Sequence, residues 1–434
     1  MERNLNKSIL NLAIPNIISN ITIPLLGIVD IALMGHMGSM VYIGAIGLGS
    51  TIFSVLYSFF SFMRAGTTGF TAQAYGAENR IEIIYSLYRS IAIAILASIL
   101  ILSLQNPIAK LSYALLEGSD EVKEMALLYF YVRIWAAPAN MLMYAFNGWF
   151  VGMQNTKIPM TIAITINVLN IILSIVLVRY FNMNVRGVAL GTVISQYCGL
   201  LMAILFIALK YSEFFIKPKF DILLKLNELK RFFKVNTDLM IRSVLLILTI
   251  AFFTNQSAKL GDDILAINMI ILQFFYIFSY FTDGFAYAGE ALVGKFKGAG
   301  DIADLKRVIR YLLLWGLALT IPFSIIYAAF PKLLIGIISS DTTLIDATLL
   351  YHIFIILIPV TTFAAFVWDG IYIGATASKP IRNTMVISSL AVFLPAWYFL
   401  TPALGNNGLW ISFLLFMLSR TVTMTLLSKQ IVNK

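Results

Sequence analysis

Apolar positions in this chain neither alternate nor keep to one face of a 3.6-residue period. They run on in stretches of about twenty residues or more, broken by short polar clusters, as in helices surrounded by hydrocarbon. The runs and their breaks predict twelve spans, at roughly 8–35, 43–73, 83–106, 121–150, 158–180, 187–210, 236–259, 264–294, 306–330, 344–374, 383–403 and 408–430. Several exceed the length needed to cross a bilayer, which implies tilt, kinks or projecting ends. Pro138, Pro159, Pro322, Pro359, Pro380 and Pro395 supply kinks and ends, because proline lacks the backbone donor and crowds the preceding turn. Pro15 and Pro24 fall inside the first span and mark it as a conformational hinge.

Composition turns this pattern into a class. Of 434 residues, 60% are hydrophobic and 12% charged, more apolar surface than a water-soluble core buries, so an all-α polytopic membrane protein is expected. The net charge of +10 could suggest nucleic acid, but the basic residues lie between the apolar runs without a dense stripe, so no nucleic-acid partner is expected. They act as topology signals instead. With the N-terminus inside, 21 of the Lys and Arg residues between spans fall on the cytoplasmic side and 6 on the other, with Arg179 and Arg186 as the local exception. Both termini are therefore expected in the cytoplasm, by the positive-inside rule. The start, MERNLNKSIL, reads as a retained first helix. Cys198 stands alone, and neither His36 nor His352 has spaced partners, so no metal or other cofactor is expected. No nucleotide loop or catalytic triad is present, which argues against an enzyme.

The longest polar connection, Lys210 to Lys234, lies near the middle of the chain, and the segments on either side resemble one another. Tyr75-Gly-Ala77 answers Lys297-Gly-Ala299 at an offset of 222, Asn147-Gly-Trp-Phe-Val-Gly152 answers Asp369-Gly-Ile-Tyr-Ile-Gly374 at 222, and Gly187-Val-Ala-Leu answers Gly408-Leu-Trp-Ile at 221. Three matches in register point to a duplication of six spans. The expected organisation is an N-terminal lobe at 1–210, a cytoplasmic linker at 211–235 and a C-terminal lobe at 236–434. An even number of spans per repeat relates the lobes by a pseudo-two-fold along the membrane normal, with a cleft between them.

A few charges lie inside the apolar runs, where they are costly to insert and usually functional. Asp30, in the first span, is the leading candidate for a proton or ion site. Arg64, Arg133, Arg242 and Arg420 keep their charge and need a carboxylate, carbonyls, water or an anionic ligand. Arg64 and Arg242 are candidate cleft charges that would favour zwitterionic or anionic substrates, whereas Arg420, near the C-terminal end, reads as interfacial. Asp283 and Glu290, seven residues apart, share a helix face and could bind a cation together; the favoured reading pairs Glu290 with a basic residue near the cytoplasmic end and leaves Asp283 more deeply placed, a candidate cleft charge. Asp369 and its repeat mate Asn147 read as gate or packing residues. Met34, Phe53, Tyr57, Phe275, Tyr276 and Tyr287 are candidate cleft residues.

The motifs Leu12-Ala-Ile-Pro15, Val29-Asp30, Gly35-His-Met-Gly38, Gly187-Val-Ala-Leu-Gly-Thr192, Asp283-Gly-Phe-Ala-Tyr-Ala-Gly-Glu290 and Asp369-Gly-Ile-Tyr-Ile-Gly-Ala-Thr376 resemble those of multidrug and toxic compound extrusion (MATE) transporters, in particular the DinF-like branch. The resemblance covers essentially the whole chain. It implies a twelve-helix, two-lobed secondary antiporter in the bacterial inner membrane, acting as a monomer on small organic substrates by alternating access. It also implies the proton as coupling ion, with Asp30 the responsive residue beside a first-lobe polar network of Asn170 and Thr192. Where the family often has an aspartate four positions after that asparagine, this chain has Ser174, so Asp30 would titrate among neutral partners. Sodium is the alternative ion, but the acid that a NorM-like sodium site would place in the tenth span falls at Thr362. The rival reading is a flippase for lipid-linked precursors of the same superfamily, which would use intramembrane arginines to hold a pyrophosphate.

Overall fold

The computed structural model describes residues 4–35, 40–115, 118–215 and 225–432, and no strand occurs among them. The first expected span is α1 (Leu5–Gly35); the second is shared by α2 (Met40–Ser58) and α3 (Phe62–Gly76). The third is α4 (Arg80–Ser103), followed by the short α5 (Gln105–Leu115). The fourth consists of α6 (Asp120–Arg133), a 3-10 turn at Ile134–Ala136 and α7 (Ala137–Gly152). Then come α8 (Lys157–Arg179), α9 (Asn184–Lys210), α10 (Leu226–Lys259), α11 (Asp262–Gly298) and α12 (Ile302–Ala329). Two short helices, α13 (Pro331–Ile338) and α14 (Thr342–Leu349), precede α15 (His352–Gly374). The eleventh span joins α16 (Ser378–Val386), a π-helical stretch at Ile387–Phe393 and α17 (Leu394–Leu404); α18 (Asn406–Leu427) and α19 (Lys429–Val432) close the chain. Among the described residues, ten helical stretches are long and apolar enough to cross a membrane. The other two expected spans are α1 and the pair α6–α7.

Two boundaries differ from expectation. The run 344–374 is not one helix: it breaks at Leu350 and Tyr351, where the last turn of α14 tightens to i→i+3 bonds, Tyr351 N–H donating to Thr348 at 3.0 Å. Only Thr348 and His352 are polar around the break, too little to mark it within an apolar run. Helix α10 starts ten residues before the expected 236, because its polar first turns bury only Phe232 and Val235 and extend the helix beyond its apolar run.

Proline explains much of the remaining irregularity. Pro395 cannot donate to the turn before it, and the helix widens into the π-helical stretch immediately upstream. Pro322 and Pro359 sit inside α12 and α15. The backbone of α1 stays helical through Pro15 and Pro24; the side chain of Pro24 lies outside the described residues.

The chain divides into two compact units, one of Ile18–Leu229 and one of Met1–Ile17 with Lys230–Lys434. The first residues of α1 thus belong with the later helices: Asn6 accepts from the Trp315 indole at 3.0 Å, and the backbone at Gly284 lies against Ala13 and Ile17. In the first unit one core gathers Phe53, Tyr129, Phe130 and Ile134, and another Tyr85, Trp149 and Phe150. The second unit is built on Phe253, Phe275, Trp410 and Phe413. Phe53 and Phe275, expected in a cleft, are core residues at 1% and 3% exposure; their neighbours within each unit are as apolar as lipid, so sequence periodicity cannot separate the two settings.

The repeat is visible in helix ends. α3 and α11 end at Gly76 and Gly298, α4 and α12 begin at Arg80 and Ile302, α7 and α15 end at Gly152 and Gly374, and α9 and α18 begin at Asn184 and Asn406, each pair 222 apart. The local chemistry recurs too. Asn79 caps α4 by accepting from Glu82 N–H at 3.0 Å, and Asp301 caps α12 by accepting from Asp304 N–H at 2.9 Å. The residues just before, Glu78 and Gly300, both hold left-handed backbone at φ 53° and 70°. An N-cap acceptor satisfies donors that the first helical turn leaves unpaired.

Candidate functional site

Each unit holds a polar group inside its helices, and the two differ in charge. In the first unit, Asn170 on α8 is fully buried and donates from Nδ2 to Thr192 Oγ1 on α9 at 2.9 Å. Thr192 Oγ1 donates in turn to Val188 O at 3.0 Å, and Ser174 Oγ donates to Asn170 Oδ1 at 3.2 Å. A Cβ at Gly191 would lie 2.9 Å from Ser174 Oγ and 3.1 Å from its backbone nitrogen, so the glycine allows α9 to approach α8 there. The structure therefore brings Asn170, Ser174 and Thr192 into one neutral network. Asp30 is on α1, and its side chain, like that of Met34, lies outside the described residues, as does His36. Pro15 is buried.

The second unit gathers charge. Asp369 on α15, 4% exposed, accepts at Oδ2 from two guanidinium groups: Arg242 of α10, and Arg420 of α18 at 2.6 Å. Arg420 is wholly buried, against the rings of Phe366 and Phe416, and donates also to Met417 S at 3.3 Å. Its expected interfacial position is thus corrected. The residues beside it, Leu418-Ser419 before and Thr421-Val422-Thr423 after, do not predict burial; the packing of α18 against α15 encloses it. A buried arginine without a carboxylate is costly, and Asp369 offsets part of that cost. Arg242 is more open, with 19% of its side chain exposed. Asp283 on α11 is half-buried and within electrostatic reach of Arg420.

Of the other expected site residues, Arg64 is half-buried on α3, and Asn147 is half-buried on α7 with an Oδ1 that no described residue meets. Thr362, where a sodium site would need an acid, is buried and donates to Ile358 O within its own helix at 2.7 Å. Sequence reading missed Asp238 of α10, 2% exposed, which accepts from Arg382 at 2.7 Å and from Ser378 Oγ at 2.7 Å. Arg382 had served only as a topology signal. The acid two positions into the seventh span was the available clue. It also missed the buried set in which Asn268 donates to Ser257 and Asn406, at 2.8 and 2.7 Å, and accepts from the Trp410 indole at 2.7 Å.

With this geometry in view, comparison with known proteins is decisive. The MatE family profile matches residues 15–176 and 239–398, one stretch in each half of the repeat. The chain belongs to the MatE family. It is 34% identical over 419 residues to the DNA damage-inducible protein F of Escherichia coli (strain K12), covering 96% of this chain and 91% of that protein, which places it in the DinF-like branch. It is 26% identical over 432 residues to the probable multidrug resistance protein NorM of Thermotoga maritima, covering 94% and 88%. In fold it matches the bent form of the Vibrio cholerae MATE transporter VcmN with a TM-score of 0.86, at 16% identity, over 99% of this chain and 97% of that one. The MatE chain is accordingly a multi-pass membrane transporter and not an enzyme.

Proposed function

We propose that this MatE transporter exports organic compounds by alternating access, as a monomer in a bacterial inner membrane with both termini cytoplasmic, driven by inward proton flow that acts at Asp30. The observation that carries the reading is how acids are distributed within the helices. Asp369 is already engaged by Arg242 and Arg420. Between residues 18 and 210 the other acids, Glu78, Glu82, Glu117, Asp120, Glu121 and Glu124, lie at or near the ends of the apolar runs, which leaves Asp30 alone in a run interior. The residues that family resemblance sets beside it, Asn170, Ser174 and Thr192, form a neutral network that can hydrogen-bond either protonation state of a carboxyl group. Thr362 offers a hydroxyl turned to its own helix where sodium coupling would want an acid, which favours the proton.

Coupling requires that proton affinity differ between inward- and outward-facing states, since equal affinity shifts no equilibrium. A carboxylate on a helix that carries Pro15 and Pro24, each lacking a backbone donor, can meet that requirement if protonation changes how α1 bends. Inverted vesicles energised by a pH gradient without sodium, screened with cationic and anionic compounds, test the proposal. Asp30→Asn is expected to abolish export while the protein remains folded and inserted. Full export by that variant would transfer the role to Asp283.

A further inference from the structure

Arg133 ends α6, just before the 3-10 turn that divides the fourth span. Arg89, Arg242, Arg382 and Arg420, the other arginines set into helix packing with described partners, each pair with a carboxylate. Arg133 does not: among the described residues no carboxylate lies within ion-pair distance of it. Its guanidinium rests over the rings of Phe53 and Tyr129, with 4.7 and 5.3 Å to their centroids. It donates to Tyr129 Oη at 2.6 Å and to Ser50 Oγ at 3.4 Å. Cation–π contact holds the group in place without neutralising it.

The hydroxyls around it point to what is missing. Tyr129 Oη accepts from Arg133, so its own hydrogen remains to be donated. Tyr57 Oη, within electrostatic reach of both, accepts from Asn140 Nδ2 at 3.5 Å and likewise keeps its hydrogen. No described residue accepts from either phenol. The arrangement is built into the backbone: the Tyr129 ring lies directly over Gly49 of α2, where any Cβ would overlap it. Arg133 itself is half-buried, so its remaining N–H donors are reachable. One fixed cation and two phenolic donors, with no acid among the described residues to answer them, form a receptor for a negative charge.

We propose that Arg133, with the hydroxyls of Tyr129 and Tyr57, binds an anionic group, a carboxylate or phosphate carried by a soluble compound or by a lipid headgroup. A ligand that binds only the folded state raises its unfolding temperature. The test is thermal unfolding of the full chain, purified in neutral detergent at constant ionic strength, against rising benzoate, with benzamide as the uncharged counterpart. A second arm replaces benzoate with phosphatidylglycerol in the micelles and benzamide with phosphatidylcholine. At least one anion should raise the unfolding temperature while its neutral counterpart does not. Arg133→Gln should weaken the apparent affinity at least tenfold and Tyr129→Phe several-fold, whereas Arg179→Gln, at an exposed helix end, should leave it unchanged. A response to benzoate alone assigns the site to soluble anions, and one to phosphatidylglycerol alone to lipid. Absence of both responses in the parent protein, or their persistence in Arg133→Gln, overturns the proposal. If Arg133→Gln does not fold, unchanged affinity in Tyr129→Phe overturns it. The readout needs no gradient, so it stands or falls separately from proton-driven export.

Discussion

The helix pair α3–α7 in one unit and the pair α11–α15 in the other are the same packing solution with different chemistry. In the first, the carbonyl of Arg64 lies where a Cβ of Gly148 would be; in the second, the carbonyl of Ala286 lies where a Cβ of Gly370 would be, and all four positions are related by 222 residues. One residue before each glycine, however, stands Asn147 in the first unit and Asp369 in the second. At the offset of 222 that relates the starts of α9 and α18, the partners of Asp369, Arg242 and Arg420, correspond to Asn20 and Cys198, so the first unit is neutral where the second has its ion-pair triad. The reverse holds between the next helices. Asn170, Ser174 and Thr192 correspond to Val392, Ala396 and Leu414, so the first unit's network has no polar counterpart. Backbone approach tolerates no substitute for glycine, whereas a polar side chain can be exchanged if all of its partners change with it.

The sharpest way to break this comparison is to give the second unit the neutral residue of the first. Asp369→Asn leaves two arginines at a buried site without their carboxylate, and removing one partner of a buried ion pair typically costs about 3–5 kcal/mol. A large fall in unfolding temperature in detergent is expected. The triple variant Arg242→Asn, Asp369→Asn, Arg420→Cys, which copies all three residues of the first unit, should recover most of that loss, because neutral replacement of a whole buried charge group is often tolerated. If the triple variant is no more stable than Asp369→Asn, the two units are not interchangeable at these positions.

The shared packing is tested by adding one methyl group to each unit. Gly148→Ala and Gly370→Ala both drive a Cβ into a backbone carbonyl, and overpacking of this kind costs about 1–3 kcal/mol. Similar falls in unfolding temperature are expected for the two; a fall in only one would show that the helix pairs are not equivalent. The smallest effect is expected in the neutral network. Thr192→Val removes the acceptor of the Asn170 amide at nearly constant volume, and an unmet buried donor costs about 1–3 kcal/mol, toward the low end where Ser174 still holds the Asn170 carbonyl. In the same measurement Leu414→Val, at the corresponding apolar position, should show only the loss of one methylene, about 1 kcal/mol.

Much of this protein was fixed along the chain itself. Twelve apolar runs require helices, because hydrocarbon offers backbone groups no partner outside their own helix. The duplication was legible for a related reason: Gly76, Gly152 and Gly298, Gly374 recur at one offset because helix ends and close backbone contacts depend on residues that nothing else replaces. The family motifs likewise located Asn170, Ser174 and Thr192, which tertiary structure then joined by hydrogen bonds. Sequence could not say which charge answers which. Arg420 and Asp369 are 51 positions apart, and Arg133 and Ser50 are 83 apart; no periodicity relates them, and an arginine near a span end reads the same whether it faces headgroups or a carboxylate. Nor could it separate Phe53 and Phe275, which fill cores, from residues facing lipid, because both surroundings are apolar. Those assignments were made only when helices packed, since pairing a charge and burying a ring depend on neighbours that the order of residues does not name.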